Sequence, residues 1–210
     1  MTTESWIIYL ALVIVATATP GPAVLFIITT STLHSRKKAV YAALGNIVGL
    51  FCLGITAITG LGTLLNTSVI LFNIIKYGGA AYLIFLGIKL LFRKNTTFST
   101  VKDHLNSTAL SPQKLFIQAL TIAIGNPKAI VFLTALFPQF INIEKPLTLQ
   151  FSILISVLMF FSFLFLMSYA LLAHKIRGWL NQPTKIEYFN RISGSIFIGF
   201  GCLLAVSSNK

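Results

Sequence analysis

The chain has 210 residues, of which 56% are hydrophobic and only 10% are charged. A soluble domain carries roughly 25% charged residues, whereas apolar runs of about 18 or more residues are typical of bilayer-spanning helices. The composition therefore excludes an ordinary soluble domain and indicates one integral membrane domain. The net charge of +12 does not indicate nucleic-acid binding, because the basic residues lie in short loops, where they set membrane orientation.

The apolar runs predict an all-α protein with six transmembrane helices. The first is expected to be retained rather than cleaved as a signal peptide, because Met1–Ser5 carries no basic residue and the apolar run resumes after Pro22. In the second, Gly45 and Gly49 are spaced to let a neighbouring helix approach closely. Before the third, residues 69–75 are expected to form a separate interfacial segment. The predicted spans run from about Trp6 to Thr30, Ala39 to Leu65, Tyr77 to Phe92, Leu115 to Phe137, Leu147 to Ala173 and Ile192 to Ser207.

Basic residues follow the odd-numbered spans. They cluster at 36–38, 93–114 and 175–191, while the loops after spans two and four carry little besides Lys145, which Glu144 offsets. The positive-inside rule then predicts loops one, three and five in the cytoplasm and both termini in the periplasm. Residues 93–114 become a cytoplasmic linker between the two halves, about 1–92 and 115–210, of a single domain covering 1–210.

Two proline-containing interruptions fall near the middle of spans one and four, at Thr19–Pro22 and Gly125–Lys128. Because each half has three spans, an odd number, the second half would enter the membrane from the opposite side to the first. This predicts two inverted three-helix repeats with broken helices one and four, a plan in which the breaks mark a transporter's binding site. A simple proline kink is the alternative. The segments that match are Pro22–Ile27 with Lys128–Leu133, and Gly79–Leu83 with Gly194–Ile198; spans two and five do not match convincingly.

The breaks offer specific chemistry. Thr19 and Asn126 are good N-caps, and Pro20 and Pro127 fit the first position of a new helix, whose free amides suit a carboxylate. Lys128 has no acidic residue in any span to neutralise it, so we expect it to meet a substrate carboxylate; snorkelling and proton carriage are the alternatives. The substrate-binding candidates are Thr19, Pro20, Gly21, Pro22, Asn46, Asn126, Pro127, Lys128 and Ser162.

Several short motifs occur in a characteristic order along essentially the whole chain. They are Thr19–Pro22, Tyr77–Leu83 with Gly87, Asn126–Ala129 followed by Ala135–Phe140, and Gly194–Phe197 ahead of Gly201. Together they resemble the LysE/RhtB amino-acid exporters of bacterial inner membranes, in particular the branch for homoserine, its lactone, threonine and other neutral amino acids. The resemblance implies proton-driven efflux of a small amino acid or derivative. Some relatives carry an Asp in span five where this chain has Ser162, so that proton carrier is missing here.

Efflux of a metal cation or another small solute, a channel and an intramembrane enzyme are the alternatives. Metal transport usually needs acid, His or Cys ligands in the membrane, where only Cys52 and Cys202 qualify. His34, His104 and His174 all fall in basic loops. No nucleophile with a positioned base is legible, so we expect no enzyme, metal site or cofactor. The expected partners are a small-molecule substrate and the lipid bilayer, not nucleic acid; a homo-oligomer is left open.

Overall fold

The computed structural model describes residues 3–65, 69–92, 110–142, 145–173 and 183–206. Within these ranges the chain forms helices joined by short turns, with no strand, which confirms the all-α prediction. Most of the predicted linker, residues 93–109, lies outside the described residues. The helices are α1 (Thr3–Ala18), α2 (Pro22–Leu33), α3 (Arg36–Leu65), α4 (Val69–Leu91), α5 (Pro112–Ile124), α6 (Pro127–Val131), α7 (Leu147–Leu171) and α8 (Pro183–Val206).

Two of the described helices are long and apolar enough to cross a membrane by themselves: Arg36–Thr59 within α3, and α7. Two bent pairs meet the same test when each pair counts as one span. The α1–α2 pair bends by 48° and the α5–α6 pair by 52°. Both predicted interruptions therefore exist, and each divides an apolar segment into two shorter helices.

The third apolar segment differs from its prediction. Residues 69–75 are not a separate interfacial piece, because α4 runs without a break from Val69 to Leu91. Lys76, which was expected to lie at the membrane interface, is buried within this helix, and its ammonium lies 5.5 Å from the centroid of the Tyr77 ring.

The ends of two other elements also differ from the predicted spans. Helix α8 begins at Pro183, well before the predicted start at Ile192, and its first turns carry an ion pair of 2.6 Å between Arg191 and Glu187 one turn apart. After α6 the chain continues as a π-helix over Phe132–Leu136 and a 3₁₀ turn over Phe137–Phe140. The second half of broken helix four is thus irregular, a feature often found near functional sites.

Small residues bring α3 and α5 together, as predicted for Gly45 and Gly49. A Cβ atom on Gly45 would lie 2.1 Å from the carbonyl oxygen of Phe116, and one on Gly49 would lie 2.9 Å from that of Leu120. Residue numbers rise together along this contact, so α3 and α5 are parallel. Any larger side chain at Gly45 would have to push the α5 backbone away.

A second glycine contact joins α4 to α8. A Cβ on Gly87 would lie 2.6 Å from the carbonyl oxygen of Gly194, and one on Gly194 would lie 2.6 Å from that of Gly87. Further along, Gly201 faces the carbonyl of Ala80. Residue numbers fall on one helix as they rise on the other, so α4 and α8 are antiparallel.

Helix α7 runs parallel to α1 and antiparallel to α3. The Tyr9 hydroxyl donates to the carbonyl of Leu154 at 2.6 Å, and the Tyr169 hydroxyl donates to the carbonyl of Ala18 at 2.6 Å. The contacts with α3 are Gly54 with Phe151, and Asn46 with Ser162. The relative directions of these neighbours are those of a chain that crosses a bilayer back and forth.

Two buried apolar clusters lie on either side of the middle of the bundle. The aromatic cluster consists of Tyr9, Phe132, Phe137, Phe140 and Phe151, whose rings stand 5.1–6.4 Å apart between centroids. The aliphatic cluster joins α2, the start of α3, α5 and the end of α7; it includes Val24, Ile27, Ile28, Ala42, Leu115, Leu166 and Ala170. The polar residues described next lie between the two clusters.

Candidate binding site at the helix breaks

The first break is built differently from its prediction. Thr19 does not cap the second half-helix, because its hydroxyl donates backwards to the carbonyl of Val15 at 2.5 Å. Such a bond to the preceding turn is the common use of a helical threonine. The N-cap is Gly21, in extended backbone, and Pro22 rather than Pro20 takes the first helical position. The roles assigned to Thr19 and Pro20 as cap and first helical residue were therefore wrong.

The first backbone amides at the N-terminal end of α2 come before the regular hydrogen bonds of the helix. The first of these bonds runs from the Leu25 amide to the Gly21 carbonyl at 3.0 Å. The amides of Ala23 and Val24 come before it, at the partially positive end of the helix. Both residues line the cavity described below.

The second break has the predicted cap. The side-chain oxygen of Asn126 accepts a hydrogen bond from the backbone amide of Lys128 at 3.1 Å, and Pro127 takes the first helical position. The carbonyl of Asn126 then accepts the first regular bond, from Ile130, at 3.0 Å. At this break, asparagine and proline occupy the positions that each prefers at the start of a helix.

Lys128 has no acidic residue in any predicted span to pair with, and backbone carbonyls hold its ammonium instead. Its ammonium donates to the carbonyl of Ala16 at 2.7 Å and to that of Thr19 at 3.0 Å. These carbonyls lie at the C-terminal end of α1, where the helix dipole is negative. The Tyr169 hydroxyl donates to a third carbonyl at this helix end, that of Ala18. A cation from the second half of the chain therefore caps the broken helix of the first half.

A cavity of about 60 Å³ opens beside this ammonium. By volume it has room for roughly four waters or a small solute. It brings together five of the predicted residues, Gly21, Asn46, Asn126, Lys128 and Ser162, while Thr19, Pro20, Pro22 and Pro127 shape the breaks without lining it. The remaining lining residues are Ala16, Thr17, Ala23, Val24, Leu50, Ala129, Phe132, Leu158 and Leu166.

One wall of the cavity carries a polar pair from α3 and α7. The amide nitrogen of Asn46 lies 3.4 Å from the hydroxyl of Ser162, and both side chains are buried. Around them the wall is formed by Leu50, Leu158 and Leu166. The cavity is thus lined by one cation at the breaks, a neutral polar pair on α3 and α7, and apolar side chains.

The sequence prediction missed the apolar part of the cavity lining and its aromatic residue, Phe132. No sequence signal distinguishes these residues, because cavity-facing and lipid-facing leucines look alike in an apolar span. The buried hydrogen bond of Tyr169 could have been expected from the sequence, since a tyrosine inside a span usually needs a hydrogen-bond partner. In the described part of the chain, no group of three or more His, Cys, Asp or Glu side chains is placed to hold a metal ion.

Apolar helices interrupted around a cavity that contains buried polar side chains are typical of transporters among membrane proteins. The sequence profile of the LysE type translocators matches residues 14–208. The chain belongs to this family, which makes it a transporter rather than an enzyme.

Curated relatives cover nearly the whole chain. A homoserine/homoserine lactone efflux protein of Salmonella typhimurium is 36% identical over 205 residues, covering 98% of each chain. A leucine efflux protein of Salmonella choleraesuis is 33% identical, covering 94% of this chain and 92% of the relative. An uncharacterized membrane protein of Vibrio cholerae is 32% identical, covering 96% and 97%. No solved structure matches significantly. The family and these names support amino-acid export as the general activity.

Proposed function

We propose that this protein is a secondary transporter that exports a small neutral amino acid, or a close derivative such as homoserine, threonine or homoserine lactone, from the cytoplasm. One observation carries the proposal: residues of both helix breaks, including Lys128, line the same cavity between two apolar clusters. In secondary transporters, substrate sites form at such interrupted helices.

The cationic end of the cavity suits a carboxylate. An ammonium has three N–H donors, and Lys128 uses two of them on Ala16 and Thr19. The third donor, with the amides of Ala23 and Val24, is available to a substrate carboxylate. Gly21 keeps this region open, since a Cβ there would lie 3.5 Å from the ammonium.

The names of the relatives narrow the substrate class. Homoserine, homoserine lactone and leucine are all small and carry one ammonium group, but the lactone has no free carboxylate. We infer that the ammonium is held in every substrate, and that the carboxylate contact strengthens binding where a carboxylate exists. The cavity-lining residues include one cation and no acid, which favours zwitterions over amino acids with a basic side chain.

We place the protein in the bacterial inner membrane with six spans in two inverted repeats and both termini in the periplasm. The parallel α3–α5 and α1–α7 contacts and the antiparallel α4–α8 and α3–α7 contacts support alternating crossings. Export then requires that the aromatic and aliphatic clusters open in turn. The proton gradient is the proposed driving force. Lys128 is the titratable group in the cavity lining.

Proteoliposomes containing the purified protein test the proposal. Labelled threonine, homoserine and leucine are loaded inside, and efflux is followed with and without an imposed proton gradient. We expect saturable efflux of at least one of them that collapses when an uncoupler is added. Flux that rises linearly with concentration would indicate a channel, and no flux with any of the three would contradict the proposal. Comparing threonine with its amide then tests the carboxylate contact.

A further inference from the structure

Asn46 and Ser162 have unused hydrogen-bonding capacity inside the cavity. Their side chains are 4% and 7% exposed, and their contact of 3.4 Å is longer than a typical N–H···O hydrogen bond. Within the described ranges, this contact is the only side-chain hydrogen bond of either residue. The Asn46 amide oxygen, the second N–H of the Asn46 amide and the hydroxyl proton of Ser162 are not used in this contact. Buried polar groups of this kind are costly unless a ligand or water completes them.

Ser162 differs from the other hydroxyl groups nearby. The hydroxyls of Thr17, Thr29 and Ser168 each donate to a carbonyl one turn back, at 2.6 to 2.8 Å. No such bond is made by Ser162. Thr17, Asn126 and Lys128, the other polar side chains of the cavity, are likewise engaged with backbone atoms. Besides the third N–H of Lys128, the Asn46–Ser162 pair therefore offers hydrogen-bonding groups to a ligand in the cavity, and its oxygens can accept.

We infer that Asn46 and Ser162 form the subsite for the ammonium group of the substrate, with the Asn46 amide oxygen and the Ser162 hydroxyl oxygen as acceptors. The inference rests on the proposed function. The break end of the cavity offers donors and a positive charge, which repel an ammonium, and the lining residues include no carboxylate. Neutral oxygens must then hold the ammonium, since burying it without acceptors is strongly unfavourable.

The arrangement also determines what else the substrate can carry. The side chain of an amino acid held by its ammonium and carboxylate is left with the apolar part of the lining, which includes Leu50, Leu158 and Phe132. An aliphatic or singly hydroxylated side chain fits such a surface. A second ammonium, on a basic side chain, would find no acceptor among these apolar residues. The Asn46–Ser162 pair would already be occupied by the first ammonium, so we expect lysine and ornithine not to be transported.

Two probes that differ only in the ammonium separate this subsite from the rest of the cavity. Threonine carries both charged groups, and 3-hydroxybutanoate is threonine without the ammonium. The protein is reconstituted in proteoliposomes, and threonine transport is measured alone and with 3-hydroxybutanoate as competitor. Leucine with 4-methylpentanoate forms a second pair. The variants are Asn46→Leu, which keeps the side-chain shape, and Ser162→Ala.

Both variants should raise the half-saturating threonine concentration by roughly 10- to 100-fold, the usual effect of losing a hydrogen bond to a charged group. The inhibition constant of 3-hydroxybutanoate should change by less than about twofold, because that probe lacks the ammonium. Matched controls are Asn190→Leu and Ser193→Ala, which alter side chains on α8 that are equally buried, at 5% and 4%, but do not line the cavity. They should leave both values unchanged.

Three results overturn the inference. Equal weakening of both probes would mean that the pair only shapes the cavity. Unchanged threonine transport in both variants would mean that the pair does not contact the substrate. Stronger inhibition by the deaminated acid than by the amino acid in the unmodified protein would exclude an ammonium subsite. If the unmodified protein transports neither threonine nor leucine, the proposed function itself fails.

Discussion

Lys128 and Ala16 belong to opposite halves of the chain, and the ammonium of Lys128 donates to the carbonyl of Ala16 at 2.7 Å. With the bond to Thr19, this contact fixes α6 to the broken end of α1. The charge that a membrane span can least tolerate is therefore satisfied by a helix C-terminus. It also stands at the wall of the cavity, so one side chain serves the fold and the site together.

Replacing Lys128 by Met should nearly abolish efflux and also lower stability. The Ala16 and Thr19 carbonyls would lose their donor, at a cost of about 1–3 kcal/mol for a buried group left unpaired. Lys128→Arg should also transport poorly, because a planar guanidinium does not replace a compact ammonium in a small space. Efflux per inserted molecule and the thermal unfolding midpoint in detergent are measured for both variants.

Lys38 provides the matched control for this experiment. Its ammonium also donates to a backbone carbonyl, that of Leu110 at 2.9 Å, but it lies outside the cavity. Lys38→Met should keep efflux close to that of the unmodified protein. Normal efflux by Lys128→Met would remove this residue from the mechanism and leave the amides of α2 to bind the carboxylate.

Gly21→Ala tests whether the space beside the ammonium is needed by the substrate. The added methyl group would lie 3.5 Å from the Lys128 ammonium, an ordinary contact, so the protein should fold normally. Because the methyl fills the cavity next to the carboxylate contact, efflux should fall roughly 10-fold or more. Gly199→Ala is the control, since a Cβ there meets nothing within 4 Å. Unimpaired efflux by Gly21→Ala would show that the substrate does not approach this end.

Gly87→Ala should destabilise the protein without a direct effect on the site. Its Cβ would lie 2.6 Å from the Gly194 carbonyl, so α4 and α8 would have to separate, at a cost of about 1–3 kcal/mol. Gly78→Ala on the same helix meets no neighbour within 4 Å and should be neutral or mildly stabilising. Thermal unfolding in detergent compares the two; equal midpoints would mean that the close α4–α8 crossing is absent in solution.

The orientation can be tested with alkaline phosphatase, which is active only in the periplasm. The Lys and Arg bias predicts an active fusion after Lys210 and an inactive fusion within residues 95–106. Membrane abundance of each fusion is measured by blotting as the control. The reverse pattern of activity would reverse the orientation and turn the proposed exporter's cytoplasmic loops outward.

Several features followed from the sequence because they depend on neighbouring residues along the chain. Apolar length predicted helices, and among the described residues two helices and two bent pairs are long and apolar enough to cross a membrane. Proline with a capping residue predicted the break at Asn126, and the Gly45–Gly49 spacing predicted a close helix contact. Thr19 shows the limit of such rules, because a threonine can cap the next helix or bond its own, and the sequence does not say which.

The tertiary structure alone decided which residues meet at the site. Lys128 and Ala16 are 112 positions apart, and Asn46 and Ser162 are 116 positions apart. Whether a polar group in a membrane span faces lipid, a neighbouring backbone or a cavity depends on how the helices are rotated against each other. That rotation is set by packing contacts such as Gly45 against α5 and Gly87 against Gly194. The sequence determined that polar groups lie inside the membrane, and helix packing determined that they face one cavity.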